Sequence, residues 1–233
     1  MGEETNESKE TDDLNDFFAA YPLEVYAPGE CVVRRWELAT GGIAWVRSGV
    51  LRVSAPARGG RDIAVCHLVA ERYKMMVFGM APFLRRYTVA AVTRVEAHHA
   101  PHAAFLAFAA HHPNVYRALV EDHLRRISDL YDQLWAAKLG DATQRVAAML
   151  LCLCVQAGES EGGPGGSGGA GEGGMTLTYP LTQREVADLT GLSRETVGTA
   201  LATLYRKGLV THSGRTLRIE HMVALRAEVE RST

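Results

Sequence analysis

Residues 181–210, LTQREVADLTGLSRETVGTALATLYRKGLV, restrict what this 233-residue chain can fold into more than any other stretch. Thr182 followed three positions later by Glu185 is the signature of a capping box at a helix start. The helix it opens turns Val186, Ala187 and Leu189 inward, and Gly191 breaks it. Ser193 caps a second helix, whose apolar residues Val197, Ala200, Leu201 and Leu204 recur at helical spacing until Gly208 stops it. Two short helices joined by a brief glycine-containing turn form a helix-turn-helix, whose second helix enters the major groove of DNA. Its first turn carries Arg194 and Glu195, side chains suited to base edges. Double-stranded DNA is the expected partner.

A net charge of -2 fits that expectation only once it is localised. Residues 1–16 hold seven acids and one base, a charge of -6, which leaves +4 on the remainder. Between residues 181 and 218, six bases (Arg184, Arg194, Arg206, Lys207, Arg215, Arg218) face three acids, a local excess that suits phosphate contact. Hydrophobic residues make up 47% of the chain, ample for packed cores in about one or two domains. No run reaches the roughly 20 apolar residues of a membrane helix, and the acidic N-terminus is unlike a secretory signal. The expected location is the cytoplasm, with no membrane contact. Cys31, Cys66, Cys152 and Cys154 lack iron–sulfur or zinc spacing and read as structural cysteines of a reducing compartment.

The remaining pattern predicts an α+β chain. Residues 1–16 read as a disordered acidic tail. Residues 17–113 hold short β-type runs (YAPGECVVRRWE, GGIAWVRSGVLRVSA, RDIAVCHLV, YTVAAVTRVEA) broken by Pro28-Gly29, Gly41-Gly42, Ser48-Gly49 and Gly59-Gly60. That spacing predicts an antiparallel, cupin-like β-roll, closed by a short helix over 101–110 that packs through Phe105 and Leu106. A long helix follows over 114–138. Tyr116, Val120, His123, Ile127, Leu130, Leu134 and Ala137 alternate four and three apart, an a/d seam that predicts a coiled-coil homodimer. Residues 139–233 form the second domain. Asp141 caps its first helix with Gln144 at the capping-box position, the Gly-rich run 158–174 reads as a flexible loop, and THSGRTLRIE makes a two-stranded wing before a final helix.

A β-roll, a heptad helix and a winged helix-turn-helix in this order resemble the CRP/FNR family of transcription regulators, over roughly residues 20–230. The residues that carry the resemblance are the segment 193–198 (SRETVG), the PGE at 28–30, the SGVLRV at 48–53, the GGRD at 59–62, the FG at 78–79 and Arg145. The resemblance implies that Arg194 reads guanine, that Glu195 reads cytosine, and that a third base reader, usually Arg, falls on Thr199. Thr182, Gln183, Ser193 and Arg215 are the candidates for phosphate contact, and RNA polymerase is a further expected partner.

The resemblance also implies an effector pocket between roll and long helix, and there this chain departs from the cyclic-nucleotide pattern. The glutamate expected after Phe-Gly is Met80, the phosphate segment reads Arg85-Arg86-Tyr87, and the adenine-binding helix positions are Leu130 and Tyr131. A ribose hydroxyl needs an acceptor that a thioether does not match. The expected effector is a small apolar or aromatic molecule, lined by Met80, Arg85, Arg86, Leu130 and Tyr131, with Met75, Met76, Phe78, Phe83 and Trp135 nearby. Haem is the alternative cofactor: Thr199-Ala200-Leu201 is similar to a run in the family's haem-dependent carbon-monoxide sensor. Cys66, His67, His98, His99, His102, His111, His112 and His123 are the candidate ligands. No nucleophile elbow, phosphate loop or paired-carboxylate motif points to an enzyme.

Overall fold

The structure is a computed structural model that describes residues 13–33, 42–57, 62–70, 75–78, 87–138, 141–160 and 174–231. The chain divides into two compact units, Met1–Asp62 with Cys66–Ile127, and Ile63–Val65 with Ser128–Thr233. The division falls inside the long helix rather than at either of its ends.

The first unit opens with helix α1 (13–19), so the acidic tail expected to reach residue 16 ends earlier. Leu14 and Phe18, four apart and one above the other, are both buried, and their burial outweighs the polarity of Asp13, Asn15 and Asp16 on the other faces. Strands β1 (Leu23–Tyr26), β2 (Cys31–Val33), β3 (Gly42–Ser48), β4 (Val50–Pro56), β5 (Asp62–Val69), β6 (Met75–Phe78), β7 (Thr88–Ala91) and β8 (Val95–Pro101) follow. They form two four-stranded sheets ordered β1-β8-β3-β6 and β2-β7-β4-β5, which bears out the antiparallel roll.

Strand β3 is buried on both faces. Ala44 and Val46 join Val32, Leu51, Leu68, Val89, Val95 and Ala97 inside the roll, while Ile43 and Trp45 face helical cover. That cover comes from α1 and from helix α2 (His102–Ala109), through Phe105 and Ala109 more than the half-buried Leu106. Phe18 stacks on Trp45 with ring centroids 5.7 Å apart, and Phe17 stacks on Phe108 at 4.5 Å.

Helix α3 runs Pro113–Lys138. Val115, Ala118, Asp122, Asp129 and Ala136 share its buried stripe, where Asp122 pairs with Arg126 at 3.6 Å. The predicted seam lies on another side and its apolar residues are open: Val120 is 54% exposed, Ile127 48%, Leu130 42% and Leu134 54%. The structure contains one chain, and no helix among the described residues is long and apolar enough to cross a membrane.

The second unit contains α4 (Ala142–Ala157), β9 (Gly158–Ser160), β10 (Met175–Leu177), α5 (Gln183–Thr190), α6 (Arg194–Arg206), β11 (Val210–Ser213), β12 (Thr216–Ile219) and α7 (Met222–Glu230). Its sheet runs β11-β12-β10-β9. Two expectations change here. The Gly-rich run does not begin at 158 as a loop: residues 158–160 pair antiparallel with 175–177, and 161–173 lie outside the described residues. Asp141 does cap α4, accepting from the Thr143 N–H at 2.6 Å, but Gln144 does not complete a capping box. Its amide donates instead to the carbonyls of Val229 at 3.3 Å and Arg231 at 2.6 Å. A buried side-chain amide needs partners, and those carbonyls lie 85 and 87 residues away, beyond the reach of a local pattern.

Candidate nucleic-acid interface

Local chemistry sets the two helices of the reading unit. The Glu185 N–H donates to Thr182 Oγ1 at 3.2 Å, and the Thr182 N–H donates to Glu185 Oε2 at 2.9 Å, a complete capping box at the start of α5. Val186, Ala187 and Thr190 are buried and Leu189 is half-buried. At the other end Gly191 takes φ +67°, and the Gly191 and Leu192 N–H groups both meet the Ala187 carbonyl. Arg145, from α4, donates to the Thr190 carbonyl and so places a guanidinium at the negative end of α5.

Ser193 accepts from the Thr196 N–H at 3.1 Å and opens α6, as its position in the sequence predicts. Val197, Ala200, Leu201 and Leu204 are buried in one core with Val146, Leu150, Leu153, Val210, Leu217 and Leu225. The opposite face of α6 carries Arg194, Glu195, Thr199, Ala202 and Arg206, all exposed. Thr199 Oγ1 donates to the Glu195 carbonyl at 3.2 Å, and Thr203 Oγ1 donates to that of Thr199 at 3.1 Å. Exposed Gln183, at the start of α5, lies above Gly198, its Oε1 3.9 Å from where a β-carbon would stand.

Of the six bases counted in the sequence, two are tied down. Lys207 donates to both carboxylate oxygens of buried Glu228 at 2.7 Å, and Arg218 pairs with Glu220 at 3.1 Å. Arg184, Arg194, Arg206 and Arg215 are exposed. Arg215 sits in the turn of the β11–β12 wing, and the wing is fastened to α6 by Tyr205 Oη on His212 Nε2 at 2.9 Å. Burial raises the Tyr205 pKa, which keeps this phenol neutral. The hydroxyls of Thr182 and Ser193 are engaged in their caps, which sequence reasoning could not separate from a phosphate role.

Met80, Arg85 and Arg86 lie outside the described residues, and Leu130 and Tyr131 are exposed on the open side of α3. Several haem-ligand candidates have partners. His98 Nδ1 donates to the Tyr21 carbonyl, His112 Nδ1 to that of Phe108 and His123 Nδ1 to that of Leu119, each at 2.8 Å, and His99 Nε2 meets Tyr26 Oη at 2.9 Å. Burial pushes the Cys66 thiol up to about 11, against the opposing pull of Arg126, and the Cys154 thiol up to about 12. Both stay protonated at neutral pH and are poor metal ligands in that form. No group of three His, Cys, Asp or Glu side chains that could hold a metal ion occurs among the described residues.

Residues 144–228 match the family of Crp-like helix-turn-helix domains. Beyond that unit, the chain is 30% identical over 174 residues to a CRP-like cAMP-activated global transcriptional regulator of Mycobacterium tuberculosis, covering 74% of this chain and 72% of that one. The chain belongs to the CRP/FNR family of transcription regulators. Solved structures of the CRP/FNR fold extend the likeness over the β-roll. A CooA mutant from Carboxydothermus hydrogenoformans superposes with a TM-score of 0.70 at 16% identity, covering 91% of this chain and 89% of that one. FixK2 from Bradyrhizobium japonicum gives 0.68 at 19% identity, covering 91% and 98%. A CRP-family transcriptional regulator from Thermus thermophilus gives 0.64 at 22% identity, covering 90% and 97%. As a CRP/FNR regulator, the chain is a DNA-binding protein of transcription control.

Proposed function

We propose that this CRP/FNR regulator works as a homodimer on a palindromic DNA site, under the control of a small-molecule effector other than a cyclic nucleotide. The observation that carries the reading is the pairing of two surfaces: α6 presents Arg194 and Glu195 at its exposed first turn, and α3 presents an uncovered apolar seam. Guanidinium matches the two acceptors of guanine, and carboxylate accepts from the cytosine amino group. Thr199 is the third reader, while Gln183 and Arg215 hold phosphates, joined by Thr182 and Ser193 through the backbone at their helix starts. Val120, His123, Ile127, Leu130 and Leu134 form the dimer seam. Each apolar side chain fully covered there contributes about 1.5–3 kcal/mol, which two matched helices supply several times over.

The effector biases the spacing of the two recognition helices, and so the fraction of dimers fit for DNA. The mycobacterial relative is named for cAMP activation, but here Met80 stands where a ribose hydroxyl would need a carboxylate. RNA polymerase is the partner through which the bound dimer acts.

A binding selection on random duplexes tests the DNA reading. Wild type should enrich a palindrome, and Arg194→Ala should lose preference at one G·C pair per half-site, a change of about 1–3 kcal/mol. An unchanged preference would overturn the assignment. Absorbance and mass spectra of freshly purified protein test the effector: a Soret band would replace the apolar effector with haem, and retained cyclic nucleotide would refute the Met80 argument.

A further inference from the structure

We infer that Thr199 reads a thymine through its γ-methyl group, in the same half-site as the guanine read by Arg194. This deepens the DNA reading proposed above and rests on it. Thr199 is exposed on the face of α6 that carries Glu195 one turn earlier and Ala202 three residues later. A step of four residues advances about 6 Å along the helix, one to two base steps away on a strand that rises about 3.4 Å per base.

The hydroxyl decides what the side chain offers. Its proton is committed to the Glu195 carbonyl at 3.2 Å, so Thr199 has no donor for the O6 and N7 acceptors of guanine or the O4 of thymine. Folding the oxygen back on its own helix leaves the methyl as the group the side chain presents outward. Ala202 adds a second methyl on the same face. A thymine 5-methyl is the apolar feature of the major groove that such a surface fits.

Deoxyuridine, which lacks only that methyl, tests the assignment. Duplexes carrying the selected palindrome are titrated with the full-length chain, each thymine being replaced in turn by deoxyuridine in both half-sites. One position should weaken binding about fourfold per half-site, the fold-change that corresponds to burying one methyl at about 0.8 kcal/mol. Thr199→Val, which keeps a methyl and loses the hydroxyl, should retain that sensitivity. Thr199→Ser, which keeps the hydroxyl and loses the methyl, should abolish it. If wild type ignores deoxyuridine at every thymine while Arg194→Ala still loses its G·C preference, this inference falls alone. It falls too if the serine variant keeps the sensitivity. A chain that selects no duplex overturns the DNA reading and this inference together.

Discussion

Gly191 and Gly49 both have positive φ, yet their surroundings set different consequences for an added β-carbon. At Gly191 the nearest atom to it would be Arg145 Nη2 at 3.5 Å, an ordinary contact, so Gly191→Ala should cost only the left-handed conformation, about 1–2 kcal/mol. At Gly49 the same carbon would stand 2.4 Å from the Arg94 carbonyl oxygen, which is backbone and cannot swing aside. Gly49→Ala should therefore destabilise its unit clearly more than Gly191→Ala destabilises the other. Urea unfolding of the two variants checks the order; equal midpoint shifts would mean that the β4 turn relaxes. Arg145 stood out in the sequence by family resemblance alone. Its role as the cap of α5 depends on a carbonyl 45 residues away, so no spacing rule could have found it.

The elements differ in how much of them the sequence carried. Helices α5 and α6 were legible because capping, periodicity and stop signals lie within each helix. Helix α1 was not, because acids surround the Leu14–Phe18 pair and composition hid a two-residue apolar contact. The wing has a chemistry of its own. Glu220 accepts from Thr211 and then from Arg218, and these bonds hold its carboxyl below the ordinary value of 4.5. A depressed carboxyl pKa contributes stability above the unfolded value and loses it as pH falls through the folded one. The protection of the β11 and β12 amides, measured against their intrinsic exchange rates, should accordingly fall on acidification below about pH 4.5, and Glu220→Gln should weaken that dependence. In the β9–β10 hairpin, replacing residues 161–173 with a four-residue turn should shift stability by no more than about 1 kcal/mol of loop-closure entropy. A larger change in the melting midpoint would show that the segment does more than connect.

For the molecule as a whole, an acidic start and a basic reading unit explain a near-neutral chain that binds a polyanion. Among residues 181–218 four arginines are exposed, and Arg215 is the proposed phosphate contact in the wing. Removing one phosphate contact from each protomer of a dimer should lower the slope of log binding constant against log salt by about 2. Anisotropy titrations of Arg215→Ala over a range of potassium chloride measure it, and an unchanged slope would take the wing off the DNA. The effector stayed illegible at this scale for a chemical reason: apolar side chains such as Met80 and Leu130 read in a sequence equally as pocket lining or as ordinary core.

Gln144 near the start of the DNA-binding unit donates its amide to the carbonyls of Val229 and Arg231. Arg231 also reaches back to Asp141 at 3.3 Å, beside the start of the same helix. During synthesis, then, a nascent chain that has already extruded its recognition helix still lacks the closing contacts of the unit that carries it. Closing the unit waits until residues 229–231 have been made, so a ribosome stalled after the wing leaves a regulator that contains its reading helix but has not finished folding around it.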